Sequence, residues 1–87
     1  MKVSEHVRAT HNQDGAIVLD VLHGEIFRMN VVASHIFRRL QRGFTESQIS
    51  REITSLYNLE ADIASVDVRD FVSALEKLGL LDGGHNA

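Results

Sequence analysis

The chain contains no cysteine, no proline and no tryptophan. Without cysteine it has no disulfide framework, no thiol nucleophile and no thiolate metal site, as expected of a protein in a reducing compartment. No apolar run approaches the ~20 residues that a membrane-spanning helix requires. The N-terminal segment also lacks the apolar core of a signal peptide. We therefore expect a cytoplasmic protein with no membrane partner.

A basic excess is also missing. The formal net charge is -3 at pH 7, whereas proteins whose main partner is nucleic acid usually carry a clear positive excess. The 87 residues are enough for one domain with a thin core, which leaves little room for a deep active site. We expect a folded single domain without a nucleic-acid partner.

Three short stretches predict strands. Residues 16–22 are rich in β-branched residues, lie between glycine-containing turns and are apolar on both alternating faces, which is typical of a central strand. Residues 25–30 alternate, with Phe27 and Met29 on one side. Residues 2–12 alternate more weakly. If consecutive strands pair, the strand at 25–30 lies at the edge of the sheet, where one row of backbone N–H and C=O groups is unpaired.

Segments with helical spacing follow the strands. The first helix is predicted over residues 31–42, with Asn30 as its N-cap and Gly43 in the left-handed position after its end. The second is predicted over residues 46–57, and a capping box at residues 45–48 marks its start. Both helices carry apolar residues on one face, so both should pack against the sheet.

The third helix is predicted over residues 66–78. The connector before it, at 58–65, is longer than the short turn of DNA-binding helix-turn-helix motifs, and Leu59 and Ile63 are expected to point inward. Residues 80–81 should fold back onto the core. This order of elements predicts an α+β fold, specifically a small winged helix-turn-helix domain in which a three-stranded antiparallel sheet precedes three helices.

We expect this domain to span residues 1–81, with residues 82–87 as a disordered tail. No catalytic constellation stands out in it. The histidines do not form a paired metal-binding motif, and we interpret His23 as a turn residue and His35 as a solvated helix residue. Asp67 lies where a helix N-terminus favours negative charge. We therefore expect no enzyme activity, no cofactor and no metal.

Two surfaces could bind a partner. Arg38, Arg39 and Arg42 form a basic helix end, which is either a solvated C-terminus with favourable dipole contacts or a docking patch for an acidic partner. The third helix is acidic outside its apolar stripe, which disfavours insertion into DNA. An edge strand beside an apolar helix can instead accept an extended peptide as an added strand.

The ordered set of residues along the hairpin and helices resembles the PqqD-like family. Members of this family are the recognition elements of pathways that make ribosomally synthesised and post-translationally modified peptides (RiPPs). The resemblance covers nearly the whole chain and is carried by Asp14, Gly15, Val18, Leu19, Asp20, Gly24, Phe27, Met29, Asn30, Ile36, Leu40, Thr45, Ile49, Ile53, Tyr57, Asp67, Val68, Phe71, Leu75, Gly79, Leu80 and Leu81.

The resemblance implies a non-catalytic role. In this family the leader segment of a precursor peptide joins the sheet at the third strand and packs against the third helix. Carried over to this sequence, the peptide-binding positions are Glu25, Ile26, Phe27, Arg28, Met29, Asn30, Asp67, Val68, Phe71, Val72 and Leu75.

The hairpin pattern D-G-x-x-x-L-D…G…F-x-x-N is most similar to the stand-alone B1 proteins of lasso peptide biosynthesis. That similarity implies a precursor peptide, a separate leader peptidase and a cyclase as partners. Two alternatives remain. One is a PqqD-type peptide chaperone of the pyrroloquinoline quinone pathway or another RiPP pathway. The other is a small winged-helix DNA-binding regulator.

Overall fold

A computed structural model describes residues 2–82 of the chain. Strands β2, β3 and β4 form a three-stranded antiparallel sheet in that order, and three helices follow them, as predicted. A second, two-stranded ribbon of β1 and β5 was not predicted. The elements are β1 (Lys2–Val3), β2 (Val7–Asn12), β3 (Gly15–Asp20), β4 (Glu25–Met29), α1 (Val31–Gln41), α2 (Glu46–Tyr57), α3 (Ala61–Lys77) and β5 (Leu81–Asp82).

The predicted first strand, residues 2–12, is two strands with a break between them. At the break, the backbone N–H of Ser4 donates to the carbonyl of Leu80 over 3.0 Å, and its hydroxyl donates to the carbonyl of Gly79 over 3.0 Å. β1 therefore leaves the main sheet and pairs with β5, where Lys2 lies opposite Asp82. Asp82, expected in the disordered tail, is in this ribbon, and the rest of that tail, 83–87, lies outside the described residues.

The predicted central position of β3 is confirmed, because it pairs with β2 on one side and β4 on the other. Its inward residues Ala16, Val18 and Asp20 are buried. Its outward residues Ile17 and Leu19 remain exposed, so the helices cover only one face of the sheet. β3 ends two residues earlier than expected, since the Asp20 carboxylate accepts the backbone N–H groups of the next turn.

The predicted starts of α1 and α2 are confirmed. The Asn30 side chain accepts the N–H of Ala33 over 2.8 Å. At α2, the backbone N–H of Gln48 donates to the Thr45 hydroxyl, and the backbone N–H of Thr45 donates to the Gln48 side-chain oxygen. These are the two hydrogen bonds of a capping box. Gly43 adopts φ +84°, the left-handed conformation expected after the end of α1. Each helix start is thus set by its own local sequence.

α3 begins at Ala61, five residues earlier than predicted. Asn58 adopts the left-handed conformation, φ 55°, so α2 ends there and only residues 58–60 separate the two helices. Ala64 is fully buried, so a small residue rather than a large apolar one supplies the inward face of the first turns. The expected long connector is therefore wrong, and its length does not argue against a helix-turn-helix.

One hydrophobic core joins the sheet, the three helices and the segment after α3. Leu80 and Leu81 are buried in it, which confirms that they fold back. Ile63, expected to point inward, is half exposed, as are Leu56 and Leu78 at the ends of the predicted helix stripes. The buried apolar residues are Val7, Ala16, Val18, Met29, Ile36, Phe37, Leu40, Ile49, Ile53, Ala64, Val68, Val72, Leu75, Leu80 and Leu81.

A polar cluster fastens α1 to α2. Glu52 accepts hydrogen bonds from Arg39 Nε over 2.6 Å and from His35 Nε2 over 2.7 Å. His35 is thus a partly buried bridging residue, and its interpretation as a solvated residue is wrong. The pKa of Glu52 lies below its usual value of 4.5, mainly because of the hydrogen bond from Arg39 and, to a smaller extent, that from His35. Burial of the carboxylate acts in the opposite direction and raises the pKa.

Substitution of Gly15 by alanine should destabilise the domain. Gly15 has φ +134°, and an added Cβ would overlap the Met29 carbonyl oxygen of β4. We expect the G15A change to lower the free energy of unfolding by about 2–3 kcal/mol, measured by urea denaturation. The matched control is G43A, where φ is also positive but nothing lies within 4 Å. It should cost about 1 kcal/mol. Equal losses in the two variants would contradict the close approach of β3 to β4.

The cluster at Glu52 should make stability depend on pH. A carboxylate whose pKa is lower in the folded state binds fewer protons there, so its contribution is present above pH 4.5 and is lost on acidification through the folded-state pKa. We expect Glu52→Gln to cost about 0.5–1 kcal/mol at neutral pH and progressively less below pH 4.5. Urea denaturation at several pH values measures this. The control is Ser55→Ala at an exposed position of α2, which removes no titratable group. It should leave the pH profile unchanged.

Candidate functional site

The edge of β4 is the first component of the candidate site. β4 pairs with β3 from Ala16 opposite Met29 to Asp20 opposite Glu25. Within residues 2–82, no strand pairs with its other edge, so a row of backbone donors and acceptors there is available to an extended chain. The predicted edge position of this strand is confirmed.

The side chains of β4 alternate as predicted. Phe27 is half-buried and Met29 is buried against the core, whereas Ile26 is 67% exposed and Arg28 is also exposed. Asn30 lies just past the strand, and its side chain is occupied by the N-cap bond to Ala33. An added strand would therefore meet a mostly apolar inner side and an outer side with one apolar and one cationic residue.

The α3 residues chosen from the sequence fall into two groups. Val68, Val72 and Leu75 are 1–3% exposed and form part of the core. Their surfaces are already used inside the domain, so their contribution is to hold α3 in place. Asp67 is exposed and Phe71 is half-buried at the margin of the core. These two residues are the ones in the predicted helix set that can contact a ligand.

Sequence reasoning missed three residues that lie on the same helix stripe as Asp67 and Phe71. Successive spacings of four, four, three and four place them on one side of α3. All three are exposed, and the stripe reads Ile63, Asp67, Phe71, Ala74 and Leu78. Ile63 was missed because the helix was predicted to begin at residue 66, whereas it begins at Ala61. Ala74 and Leu78 lie within the predicted helix, and their spacing from Phe71 would have identified them. We refer to these five residues as the α3 stripe.

Phe27 of β4 and Phe71 of α3 pack at the margin of the same hydrophobic core. The strand edge and the helix thus share one hydrophobic core. An open concavity of about 420 Å³ lies at the C-terminal end of β4, lined by Asn12, Asp14, Ala16, Ile17, Arg28, Met29 and Asn30. Its lining combines the amides of Asn12 and Asn30 with one cation, Arg28, and one carboxylate, Asp14.

A serine–histidine pair is also present. Nδ1 of His11 lies 2.9 Å from Oγ of Ser34, and Nε2 lies 3.2 Å from the amide oxygen of Gln41. The geometry links β2 to α1, but Ser34 is 4% exposed and a neutral glutamine cannot stabilise an imidazolium as a carboxylate does. We therefore interpret the contact between His11 and Ser34 as one that holds β2 against α1, and not as a reactive site.

The basic end of α1 is only partly solvated. Arg39 donates to Glu52, and its guanidinium carbon lies 5.2 Å from the centre of the Phe44 ring. Arg38 and Arg42 remain exposed. Of the two alternatives for this helix end, the solvated C-terminus therefore describes Arg38 and Arg42 but not Arg39, and a docking patch here would have two cations available instead of three.

Comparisons with known proteins agree with this architecture. The profile of the family described as "PqqD: Coenzyme PQQ synthesis protein D" matches residues 15–81. No curated protein matches the chain. No helix in the described part of the chain is both long and apolar enough to cross a membrane.

Two solved structures are similar to the chain over almost its whole length. The structure described as "TbiB1 in Complex with the TbiA(beta) Leader Peptide" has 31% identity and a TM-score of 0.89, covering 95% of this chain and 96% of the other. The structure described as "Lasso peptide synthetase B1 complexed with the leader peptide" has 26% identity and a TM-score of 0.81, with coverages of 90% and 92%.

Proposed function

Because the chain belongs to the PqqD family and is a PqqD-like RiPP recognition element, we propose that it binds the leader segment of a ribosomally made precursor peptide without catalysing a reaction on it. The observation that carries this proposal is the similarity to two B1 proteins that were both solved with a leader peptide bound. The available edge of β4 supplies a physical means of binding.

The proposed mode of binding is strand addition. The leader would lie along β4 as a fourth strand, and main-chain hydrogen bonds would supply affinity that depends little on leader sequence. Side chains that alternate toward the domain would meet Phe27 and the α3 stripe, in particular Asp67 and Phe71. Those on the opposite side would lie near Ile26 and Arg28. Selectivity would come from these few contacts.

We further propose that the bound leader is presented to a separate leader peptidase and a cyclase in lasso peptide biosynthesis. The similarity to the two B1 structures favours this assignment over the alternative of a peptide chaperone in the pyrroloquinoline quinone or another RiPP pathway. The genes adjacent to this one would distinguish the two assignments, because a lasso peptide pathway would include a short precursor gene and a small protease gene.

A DNA-binding regulator would use α3 as its recognition helix. The three-residue connector between α2 and α3 is compatible with that geometry. However, the N-terminal half of such a helix contacts base edges and phosphates. In this chain the N-cap and the first ten residues of α3 carry several exposed carboxylates and one exposed arginine, namely Glu60, Asp62, Asp67, Asp70 and Arg69. The charge of α3 therefore argues against DNA, and peptide binding remains the better proposal.

Strand addition makes a prediction about backbone N-methylation. A fluorescent leader peptide from the adjacent precursor gene should bind the chain in a 1:1 complex, measured by fluorescence anisotropy. Since successive N–H groups of a strand point to opposite edges, N-methyl groups placed one position at a time should alternate in effect. We expect methylation of N–H groups that face β4 to weaken binding about tenfold, and the positions between to change it little. A weakening that shows no period of two would contradict strand addition, whereas absence of any leader binding would overturn the proposed function itself.

The α3 stripe makes a second prediction. Phe71→Ala should weaken leader binding about tenfold or more, since truncation of an aromatic anchor typically costs over 1 kcal/mol. The control is Phe44→Ala, because Phe44 is also half-buried at the core margin but lies after α1. It should lower stability comparably and leave leader affinity within about twofold. Isothermal titration of both variants measures the difference. Equal losses of affinity would mean that Phe71 acts only through the fold.

A further inference from the structure

Two histidine rings from separate segments converge on one buried carboxylate. His6 lies between β1 and β2, and its Nε2 is 3.7 Å from Oδ1 of Asp20. His23 lies in the turn before β4, and its Nδ1 is 2.7 Å from Oδ2 of Asp20. The three candidate ligand atoms lie within 4.8 Å of one another. His23 is therefore more than a turn residue, because its ring contacts Asp20. The spacing of these residues along the chain did not indicate that the three side chains lie together.

The turn by itself explains only part of this arrangement. Oδ1 of Asp20 accepts the backbone N–H groups of Leu22 and His23, each over 3.0 Å, which ends β3 and shapes the turn. That role requires the carboxylate alone. The His6 ring approaches from another segment and stands edge-on to the His23 ring, with 5.9 Å between the ring centres. Two imidazoles on one carboxylate exceed what the turn needs.

The accessibility of the three side chains suits an ion that enters from solvent. The Asp20 side chain is fully buried, whereas His6 is 27% exposed and His23 is 56% exposed. The carboxylate thus forms the floor of the cluster, and the two imidazoles form its open side. The backbone N–H groups on Oδ1 fix the orientation of the carboxylate, as supporting hydrogen bonds do at metal sites.

The donor set matches a transition ion of the Zn²⁺ type. Zn²⁺ binds imidazole nitrogen and carboxylate oxygen at about 2.0–2.2 Å, and tetrahedral sites with three protein ligands leave a position for water. Donors at that distance are about 3.3–3.5 Å apart. His23 lies 2.7 Å from Oδ2 and His6 lies 3.7 Å from Oδ1 of Asp20, and the ligand atoms lie within 4.8 Å of one another. Side-chain movements of up to roughly 1 Å would therefore bring one carboxylate oxygen and the two ring nitrogens to separations of about 3.3–3.5 Å. Nε2 of His6 would exchange its 3.1 Å contact with the Gly79 carbonyl for the ion.

We propose that His6, Asp20 and His23 form a binding site for a divalent transition ion, with Zn²⁺ as its representative and water completing the coordination. A bound ion joins the segment between β1 and β2 to the turn between β3 and β4. Its role is structural, and it does not depend on leader binding. It fixes the turn from which β4 begins.

The test is isothermal titration of the full chain with Zn²⁺ at about pH 7.5, because protons compete with the metal for imidazole nitrogen at lower pH. We expect one ion per chain. Changes outside the coordinating residues already reduce metal affinity 10–100-fold at known sites, so His6→Gln and His23→Gln should each weaken binding at least about tenfold. His35→Gln and His85→Ala are the controls and should retain the affinity within about twofold. Mg²⁺, which prefers oxygen ligands, should not bind.

A second measurement separates coordination from effects on folding. Co²⁺ in place of Zn²⁺ should give the visible absorption of a four-coordinate nitrogen and oxygen site, and this absorption should be lost in His23→Gln. Because His23 is more than half exposed, that variant should remain folded by circular dichroism. The proposal is overturned if Zn²⁺ binds the two glutamine variants as tightly as the unchanged chain. It is also overturned if binding is absent, or if it follows His35 or His85.

Discussion

The burial of one face of β3 against α1 is the contact on which the other parts of this domain depend. Val18 from the strand and Phe37 from the helix are both fully buried. The helices of residues 2–82 pack on that one face of the sheet, and Ile17 and Leu19 stay exposed on the opposite face. Within the same residues no strand pairs with the outer edge of β4. The proposed binding edge thus lies beside the buried face that holds the sheet and the helices together.

The features that local chemistry specifies could be predicted from the sequence. The alternation of β4, the N-cap at Asn30 and the capping box at Thr45 each depend on residues within a few positions. The early start of α3 was missed because Ala64, a small residue, supplies its first buried position, and because Asn58 takes a left-handed conformation that glycine more often adopts. The β1–β5 ribbon has two residues in each strand and leaves no periodic signal.

The candidate site was predictable to a similar, partial extent. Periodicity identifies the apolar face of a helix, but it does not tell whether that face meets the core or a ligand, because both require the same residue types. Val68, Val72 and Leu75 illustrate this, since all three are buried in the core. The order of the strands identified the edge of β4 correctly. Convergence of His6 and His23 on Asp20 depends on the tertiary arrangement of two separate segments, which spacing along the chain does not show.

The ribbon between β1 and β5 has a consequence for the synthesis of the protein. Ser4 is held by the carbonyls of Gly79 and Leu80, and Leu80 is fully buried. The sheet and α1 emerge from the ribosome long before these residues, so the inner face of the sheet is completed last. Closing so long a loop costs little more free energy than closing a shorter one, about 0.6 kcal/mol for each doubling of the loop length. The domain therefore completes its native core only after residue 82 is translated, because Leu80 and Leu81 are part of that core.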